Sequence, residues 1–587
     1  MPLDAMCIIA VKHELTEQIQ GMKIDKIQQP ERDVFILSLR GNNKQTQSLL
    51  ISVGADDARV HLTEHKFENP KAPPMFCMLL RKHLTGARIV EIVQHESERV
   101  LILRLDTTTV LGERSEKCLI IEMIGRLSNL ILKDSDDLII DCTRRIGGEL
   151  TGKRSVLPGL LYRNPPVQEG KLDPLTATHA DFQLLVNKTG EALIEKWLIS
   201  RFKAMSPLIC REIVWRAYGE SDFRIDAIKD DSAALTSEFF SLMDTIRTDR
   251  FEPWLILTKD GVPKDFSYVG IGQYETAFEV INTESFSKLL DGFYTRSEQI
   301  KRLGQRSAAT LKTISTVKDR LLRKISTQRM ELEESARGSY YRECGDILIA
   351  NLHLIKKGQS LIIAEDFYSE KNSKIEIKLD PLKTPQQNAA WYYKKYSKAK
   401  NAGIVLAEQI KRGEIEIDYV TSVIDQIKRA DNESDLNEIR NELIQTGYIK
   451  SYIKQKSKQT ESIPHCFKSS NGMLIFAGRS NIQNDKLTLK TAARTDVWLH
   501  AQKIHGAHVI ISCAGSSPDE ATLKEAAAIA AYYSAARSDG KVAIDYTLVK
   551  NVKKPSGGRP GMVIYNDFKT ILISQDEDLV NRLRIDK

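Results

Sequence analysis

The apolar residues of this chain change period as it is read from its start, and each change predicts a different kind of element. Short apolar runs at 34–39, 49–53, 100–105 and 119–124, bounded by polar or glycine-containing breaks, predict β-strands beside a helix or two. Pro158-Gly159 and Pro165-Pro166 mark an edge, so a first domain is expected over 1–172. From 178 to 232 the pattern is helical, with Ser206-Pro207 set as N-cap and first-turn proline. Two long helices are predicted over 284–338 and 386–447. Leu311, Ile314, Leu321, Ile325 and Leu332 recur at helical spacings, and Val420, Ile424, Ile427, Leu436, Ile439 and Leu443 answer them. Lys318 interrupts the first seam. The pairing predicts an antiparallel coiled-coil arm over 284–447 with a compact insert, 339–385, at its tip. Beyond 463 the pattern becomes α/β, with strands at 473–477, 509–511, 542–546, 563–565 and 570–573. One helix there carries Ser517 and Glu520 as a capping box, Pro518 at its first position and Gly540 past its end. The fold class is therefore multi-domain α+β, ending in an α/β module over 463–587.

A chain of 587 residues exceeds one core and fits several domains of ~100 to 200 residues. Its net charge of +7 says little, but its distribution says more. Residues 294–330 hold ten Lys/Arg against Glu298 and Asp319, a local surplus larger than that of the whole chain. A solvated helix face usually alternates both signs. Acids are nearly absent here, which favours a phosphate-facing surface, since each neutralised phosphate releases counterions. Eight scattered cysteines form no C-x-x-C pair, so neither a disulfide framework nor a zinc knuckle is indicated. No signal-peptide pattern and no run of ~18 apolar residues occurs, and a soluble cytoplasmic protein is expected.

His500, His505 and His508 invite a metal reading, but they lack helical zinc spacing and a fourth ligand, so no metal and no cofactor are expected. Trp498 reads as core. Arg479, Asn481, Asn484 and Asp496 cluster around it in sequence and are read as RNA-facing or as solvated turn residues. Lys550, Lys553, Lys554 and Arg559 surround Pro555-Ser556-Gly557-Gly558 without an acid, which suits either phosphate contact or an exposed loop. No nucleophile and base pair stands out, so no enzyme activity is expected.

Asn481-Ile482-Gln483-Asn484-Asp485, Asp496-Val497-Trp498-Leu499-His500-Ala501 and Gly506-Ala507-His508-Val509 resemble the C-terminal RNA-associated module of the NFACT family of ribosome-quality-control factors. The stretches 76–84 and 122–129 resemble the family's first domain. The resemblance implies an Fpg/Nei-like first domain, a helix-hairpin-helix unit over 178–232, a coiled-coil arm with a middle domain, and the RNA-associated module. Glu98-Arg99 stands where the family has an acid and arginine, usually Asp-Arg, on the surface that handles tRNA, and Glu122-Met123-Ile124 resembles its Glu-Ile-Met run. The implied RNA contacts of the last module are Arg479, Asn481, Asn484, Asp496, Trp498, His500, His508, Lys553 and Lys554. Those of the basic arm, towards rRNA, are Arg302, Arg306, Lys312, Arg320, Arg323 and Lys324. The family usually has glycine where this chain has Ala204. By this resemblance the protein binds a 50S subunit carrying peptidyl-tRNA and recruits alanyl-tRNA, so that an alanine tail marks the nascent chain for proteolysis. Two alternatives come with the family. One is a fibronectin-binding surface adhesin, a label some members carry. The other is a glycosylase using the amine of Pro2, against which Leu3 occupies the place of the catalytic glutamate.

Overall fold

The computed structural model describes residues 3–42, 45–108, 112–147, 154–166, 168–187, 191–228, 231–274, 276–369, 373–430, 432–450, 463–536 and 540–585. Pro2 lies outside them. The chain divides into two compact units, 1–300 and 301–587.

The first unit is built on a nine-stranded antiparallel sheet. Its strands are β1 (Lys23–Glu31), β2 (Val34–Arg40), β3 (Thr46–Ser52), β4 (Arg59–Leu62), β5 (Arg88–Gln94), β6 (Val100–Thr108), β7 (Arg114–Glu122), β8 (Asn129–Asp134) and β9 (Ile139–Cys142), in the order β4-β3-β2-β1-β5-β6-β7-β8-β9. Helix α1 (Ala5–Ile19) is capped by Asp4, whose carboxylate accepts the Cys7 N–H at 2.7 Å. It buries Met6, Val11, Leu15 and Ile19 with Ile24, Phe35, Leu37 and Ile51 of the sheet. Helix α2 (Met75–Leu84) joins β4 to β5. The four expected strands are β2, β3, β6 and β7. β7 ends at Glu122, so Met123 and Ile124 fall beyond it.

Four helices follow: α3 (His179–Asn187), α4 (Ile194–Arg201), α5 (Pro207–Tyr218) and α6 (Ala233–Arg247). They close around Phe182, Trp197, Phe202 and Phe239, with the Phe202 and Phe239 rings 4.7 Å apart. α5 starts at Pro207 after an extended Ser206, as expected, and stops at a left-handed Gly219. A three-stranded sheet, β10 (Trp254–Leu257), β11 (Pro263–Ser267) and β12 (Glu279–Asn282), completes the unit.

The first long helix is α7 (Phe286–Ala336), followed directly by α8 (Gly338–Ala350). The hairpin β13 (Leu361–Glu365) and β14 (Lys374–Lys378) packs Ile362 and Ile377 against Cys344, Ile347 and Leu348 of α8. Helix α9 (Pro385–Arg429) starts at a reciprocal capping box of Thr384 and Gln387. It runs antiparallel to α7: Gly403 meets Ser335, and Gly413 meets Ile325. A Cβ at Gly413 would lie 2.8 Å from Ile325 Cδ1, so glycine there permits the close approach. The expected single helix over 386–447 is broken. α9 ends at an extended Ala430, and Asn432 caps α10 (Glu433–Gln445) by accepting the Asp435 N–H at 2.9 Å. The break turns Leu436, Ile439 and Leu443 onto the same cluster as Ile314, Val420 and Ile427.

The C-terminal module has a six-stranded antiparallel sheet in the order β15-β16-β18-β17-β19-β22. Its strands are β15 (His465–Lys468), β16 (Leu474–Ala477), β17 (Val497–Ala501), β18 (Val509–Ile511), β19 (Val542–Leu548) and β22 (Lys569–Ile573). β20 (Val552–Lys553) and β21 (Ile564–Tyr565) form a separate two-stranded ladder. Helix α11 (Asn481–Lys486) precedes β17, and the alanine-rich α12 (Glu520–Tyr532) covers one face of the sheet. The cap of α12 is Asp519, which accepts the Thr522 N–H at 3.1 Å; the expected Ser517 box and Pro518 both lie before the helix. The period of two in β17 sends Val497, Leu499 and Ala501 towards α12 and Trp498 to the opposite face.

Candidate nucleic-acid interface

In the first unit, Glu98 and Arg99 sit in the turn that leads into β6. The turn is held by the Glu98 N–H donating to His95 O at 3.1 Å and by Gln94 Nε2 donating to Glu98 O at 2.9 Å. Both side chains line a cleft of about 230 Å³ with Asp4, Lys171, Met205 and Ser206. Glu98 Oε1 is buried without a hydrogen-bond partner, and burial raises its pKa against the opposing pull of Lys203 and Arg99. Burial also pushes Asp4 up to about 6, although Ser206 and the Cys7 N–H pull it down. Ala204 adopts φ 61, the left-handed conformation that glycine takes at least cost.

Glu122 and Met123, expected as tRNA contacts, are not among the residues lining this cleft, although the Met123 N–H donates to Arg99 O at 2.9 Å. Each is 1 % exposed. Glu122 accepts from Arg154 Nη1 at 3.1 Å, from Arg154 Nη2 at 2.5 Å and from Tyr162 Oη at 2.9 Å. Ile124 packs, partly buried, against a cluster containing Val100 and Ile120. Nothing in the sequence flagged Arg154 or Tyr162, because their partner is 32 and 40 residues away and neither belongs to a motif.

In the second unit the motif residues split between inside and outside. Trp498 is fully buried and His508, Asn484, Asp496 and Asn481, all expected as RNA contacts, nearly so. Asn484 Oδ1 accepts the His508 N–H at 3.0 Å, and Asp496 accepts the N–H groups of Cys513 at 2.9 Å and Ala493 at 2.8 Å. Asn481 Nδ2 donates to Ser422 Oγ at 3.1 Å and to Glu442 Oε1 at 3.2 Å, and Tyr419 Oη donates to the same carboxylate at 2.7 Å. Arg479 pairs with Asp435 at 3.2 Å, and Ser480 Oγ donates to Glu438 at 2.8 Å. These side chains fasten the module to α9 and α10. Their charge and hydrogen-bonding capacity are directed inwards.

Lys553 and Lys554 remain exposed, Lys554 beside Asp485 in an ion pair. Arg559 lies over the rings of Tyr419 (5.6 Å) and Tyr448 (5.9 Å). Along α7, Arg302, Arg306, Lys312, Arg320, Arg323 and Lys324 are all exposed. Arg306 pairs with Glu433 and Arg329 with Glu414 at 2.6 Å, so acids from the other helices offset part of the stripe that looked unopposed in sequence. Among the described residues no group of three or more His, Cys, Asp or Glu is placed to hold a metal ion, and no helix is long and apolar enough to cross a membrane.

The NFACT N-terminal and middle domains match residues 4–462, and the NFACT protein RNA binding domain matches 463–566. The chain belongs to the NFACT family. Among its NFACT relatives, a Bacillus subtilis protein named Rqc2 homolog RqcH is 36% identical over 590 residues, the full length of both chains. A mouse protein named ribosome quality control complex subunit NEMF is 27% identical over 135 residues, 23% of this chain and 12% of its own. The solved C-terminal part of a fibronectin/fibrinogen-binding protein from Streptococcus suis is 29% identical, with a TM-score of 0.39, and covers 48% of this chain and 100% of its own.

The buried imidazoles of the module give a pH test. His508 is 1 % exposed, its Nδ1 2.8 Å from Thr488 Oγ1, and burial beside His500 holds its pKa well below the ordinary value. Burial likewise lowers His500 to about 4. The unfolded chain takes up protons near pH 6.5 while these folded imidazoles do not, so stability falls as pH drops below about 6.5. Glu442, raised by burial, acts in the opposite sense. Comparing wild type with His508→Gln cancels that contribution. The wild-type melting transition of the C-terminal unit is expected to lose more between pH 6.5 and 5 than that of the variant. The difference should approach about 1.4 kcal/mol per pH unit for the one group. Equal pH slopes would show that His508 titrates normally.

Proposed function

We propose that the protein is a ribosome-quality-control factor. It binds a large ribosomal subunit still holding peptidyl-tRNA and recruits alanyl-tRNA, so that the peptidyl-transferase centre adds a C-terminal alanine tail to the unfinished chain and marks it for proteolysis. The observation that carries this reading is the end-to-end relationship to a protein named Rqc2 homolog RqcH, joined to an RNA-binding domain at the C-terminus. Chemistry belongs to the ribosome, and the protein itself is not an enzyme but a positioning device. The nine-stranded unit is taken as the Fpg/Nei-like domain that handles tRNA through the Glu98–Arg99 cleft. The paired helices α7 and α9 are taken as a coiled-coil arm whose exposed basic residues dock on rRNA.

The test is a pull-down of tagged protein with subunit RNA and tRNA quantified separately. Wild type should recover free 50S subunits rather than 70S ribosomes, with recovery falling steeply as salt rises. The double variant Glu98→Ala, Arg99→Ala should still recover 50S but lose about ten- to a hundredfold in tRNA, the cost of a charged hydrogen bond of roughly 1.5 to 3 kcal/mol. A stalled reporter should lose its alanine tail in that variant by mass spectrometry. Equal recovery on 70S particles, or normal tails, would overturn the reading.

A further inference from the structure

We infer that the second unit carries a pocket for one unstacked purine base of a bound RNA, a site that rests on, and sharpens, the RNA-binding reading of the C-terminal module. A cavity of about 230 Å³ lies between one face of α9 and the loop at 559–562. Ile415, Asp418, Ser422, Gln426 and Arg429 recur along α9 at three- and four-residue intervals, so a single helix face forms one wall. His500, His505, Arg559 and Met562 contribute to the other. Gly561, at φ +77, brings the loop in; a Cβ there would lie 2.4 Å from Asn481 Oδ1.

Most polar groups of this pocket are engaged within the fold, but two side chains keep hydrogen-bonding capacity towards it. Gln426 is 4 % exposed, and its carbonyl oxygen is engaged at 3.4 Å by the Asn481 N–H. Among the described residues its amide nitrogen makes no hydrogen bond, which leaves donors for whatever fills the cavity the side chain lines. Asp418 lines the same cavity with an exposed carboxylate that makes no ion pair or hydrogen bond among the described residues, an acceptor awaiting N–H donors. The guanidinium of Arg559, already resting over Tyr419 and Tyr448, offers a planar face.

The cavity carries charge of both signs, the guanidiniums of Arg429 and Arg559 against the carboxylate of Asp418. Burial keeps His500 and His505 towards their neutral forms, and Asp418 adds a negative charge. A flat uncharged ring with both donors and acceptors on its edge satisfies all three features. Purines present N–H groups to a carboxylate and ring nitrogens to an amide donor, and stack on a guanidinium plane. The sugar-phosphate would leave past Lys554, whose ion-pair partner Asp485 accepts the N–H of Gly561 in the pocket wall at 3.1 Å.

The experiment uses the full-length chain and a uridine-rich 12-mer carrying a single 2-aminopurine, against the same oligomer with an abasic nucleotide at that position. Removal of the base should weaken binding about tenfold or more, the range seen for one captured base. Asp418→Ala should weaken the purine oligomer to the level of the abasic one and leave the abasic one unchanged. Loss of a negative charge would by itself tighten RNA binding, so this weakening cannot be a general electrostatic effect. Arg559→Lys, which keeps the charge and removes the planar face, should also narrow the gap between the two oligomers. Equal affinity for both oligomers in wild type overturns the pocket and leaves RNA binding by the module intact. Failure to bind either oligomer at low salt removes the RNA-binding reading, and the pocket with it.

Discussion

Replacing Arg154 by alanine is expected to destabilise the first unit by about 3 to 5 kcal/mol, the cost of leaving a buried carboxylate without its cation. Glu122 is 1 % exposed at the end of β7, and both of its oxygens are engaged by the Arg154 fork. Tyr162 adds one hydroxyl donor and a ring 5.1 Å from the guanidinium. After truncation only that hydroxyl would remain for a charge that water cannot reach. Tyr162→Phe removes one hydrogen bond to a charged group and should cost less, roughly 1.5 to 3 kcal/mol. The double change Glu122→Leu, Arg154→Met replaces the pair with apolar groups and should recover most of the loss. Urea unfolding of the three variants checks the order. The same proteins test the role of Glu122. If the double variant still binds tRNA while Arg154→Ala merely unfolds more easily, Glu122 supports the strand end behind the Glu98–Arg99 turn. Loss of tRNA from a stable double variant would return Glu122 to the binding surface.

What the sequence made legible followed from local periodicity. β2, β3, β6 and β7 are continuous apolar runs, and the α7 and α9 seams repeat at helical spacing over many turns, so all were readable. β1 was not, because Lys23–Glu31 carries only two isoleucines and a proline among charged and amide residues. Its burial comes from α1 and from pairing with β2, which no local window contains. The break before α10 was missed because Leu436, Ile439 and Leu443 continue the helical spacing. The physical stop signal was Asn432 followed by Glu433 and Asp435, an N-cap with acids in the first turn. At α12 the Ser517 box was expected, and Asp519, two residues later, caps the helix instead by accepting the Thr522 N–H.

The sites divide in the same way. The sequence placed Glu98–Arg99 just ahead of an apolar strand and the Trp498 motif in a strand-rich module, and the structure has them in the turn before β6 and in β17. The sequence could not tell which polar residues of a motif face outwards. Asn481, Asn484 and Asp496 look like surface chemistry when written as letters, but their partners, Ser422, Glu442, His508 and Cys513, are reached through the fold. Conversely, Asp418 and Gln426 sit in an unremarkable stretch of helix, and only the approach of the 559–562 loop gives them a cavity to face.

Trp498→Ala should be the most damaging single change in the C-terminal module, at about 3 to 5 kcal/mol. The indole is fully buried and packs with Leu487, Ile510, Val549 and Val552 on the face of the sheet away from α12. His500 stacks on it at 5.6 Å with an interplanar angle of 13°, and His508 and Tyr565 close the remaining sides at 5.3 and 4.8 Å. Alanine would leave a void between two neutral imidazoles and a tyrosine. Filling it with water would demand polar partners that the aliphatic part of the lining lacks. Trp498 Nε1 has no hydrogen-bond acceptor among the described residues, so Trp498→Phe forfeits packing alone and should cost only about 1 to 2 kcal/mol. Calorimetric melting should then place the variants in the order wild type, phenylalanine, alanine, with the loss confined to the transition of the second unit. RNA affinity should follow the folded fraction, because the ring touches no solvent. A Trp498→Phe protein with wild-type melting but abolished RNA binding would show that the indole contacts the ligand after all.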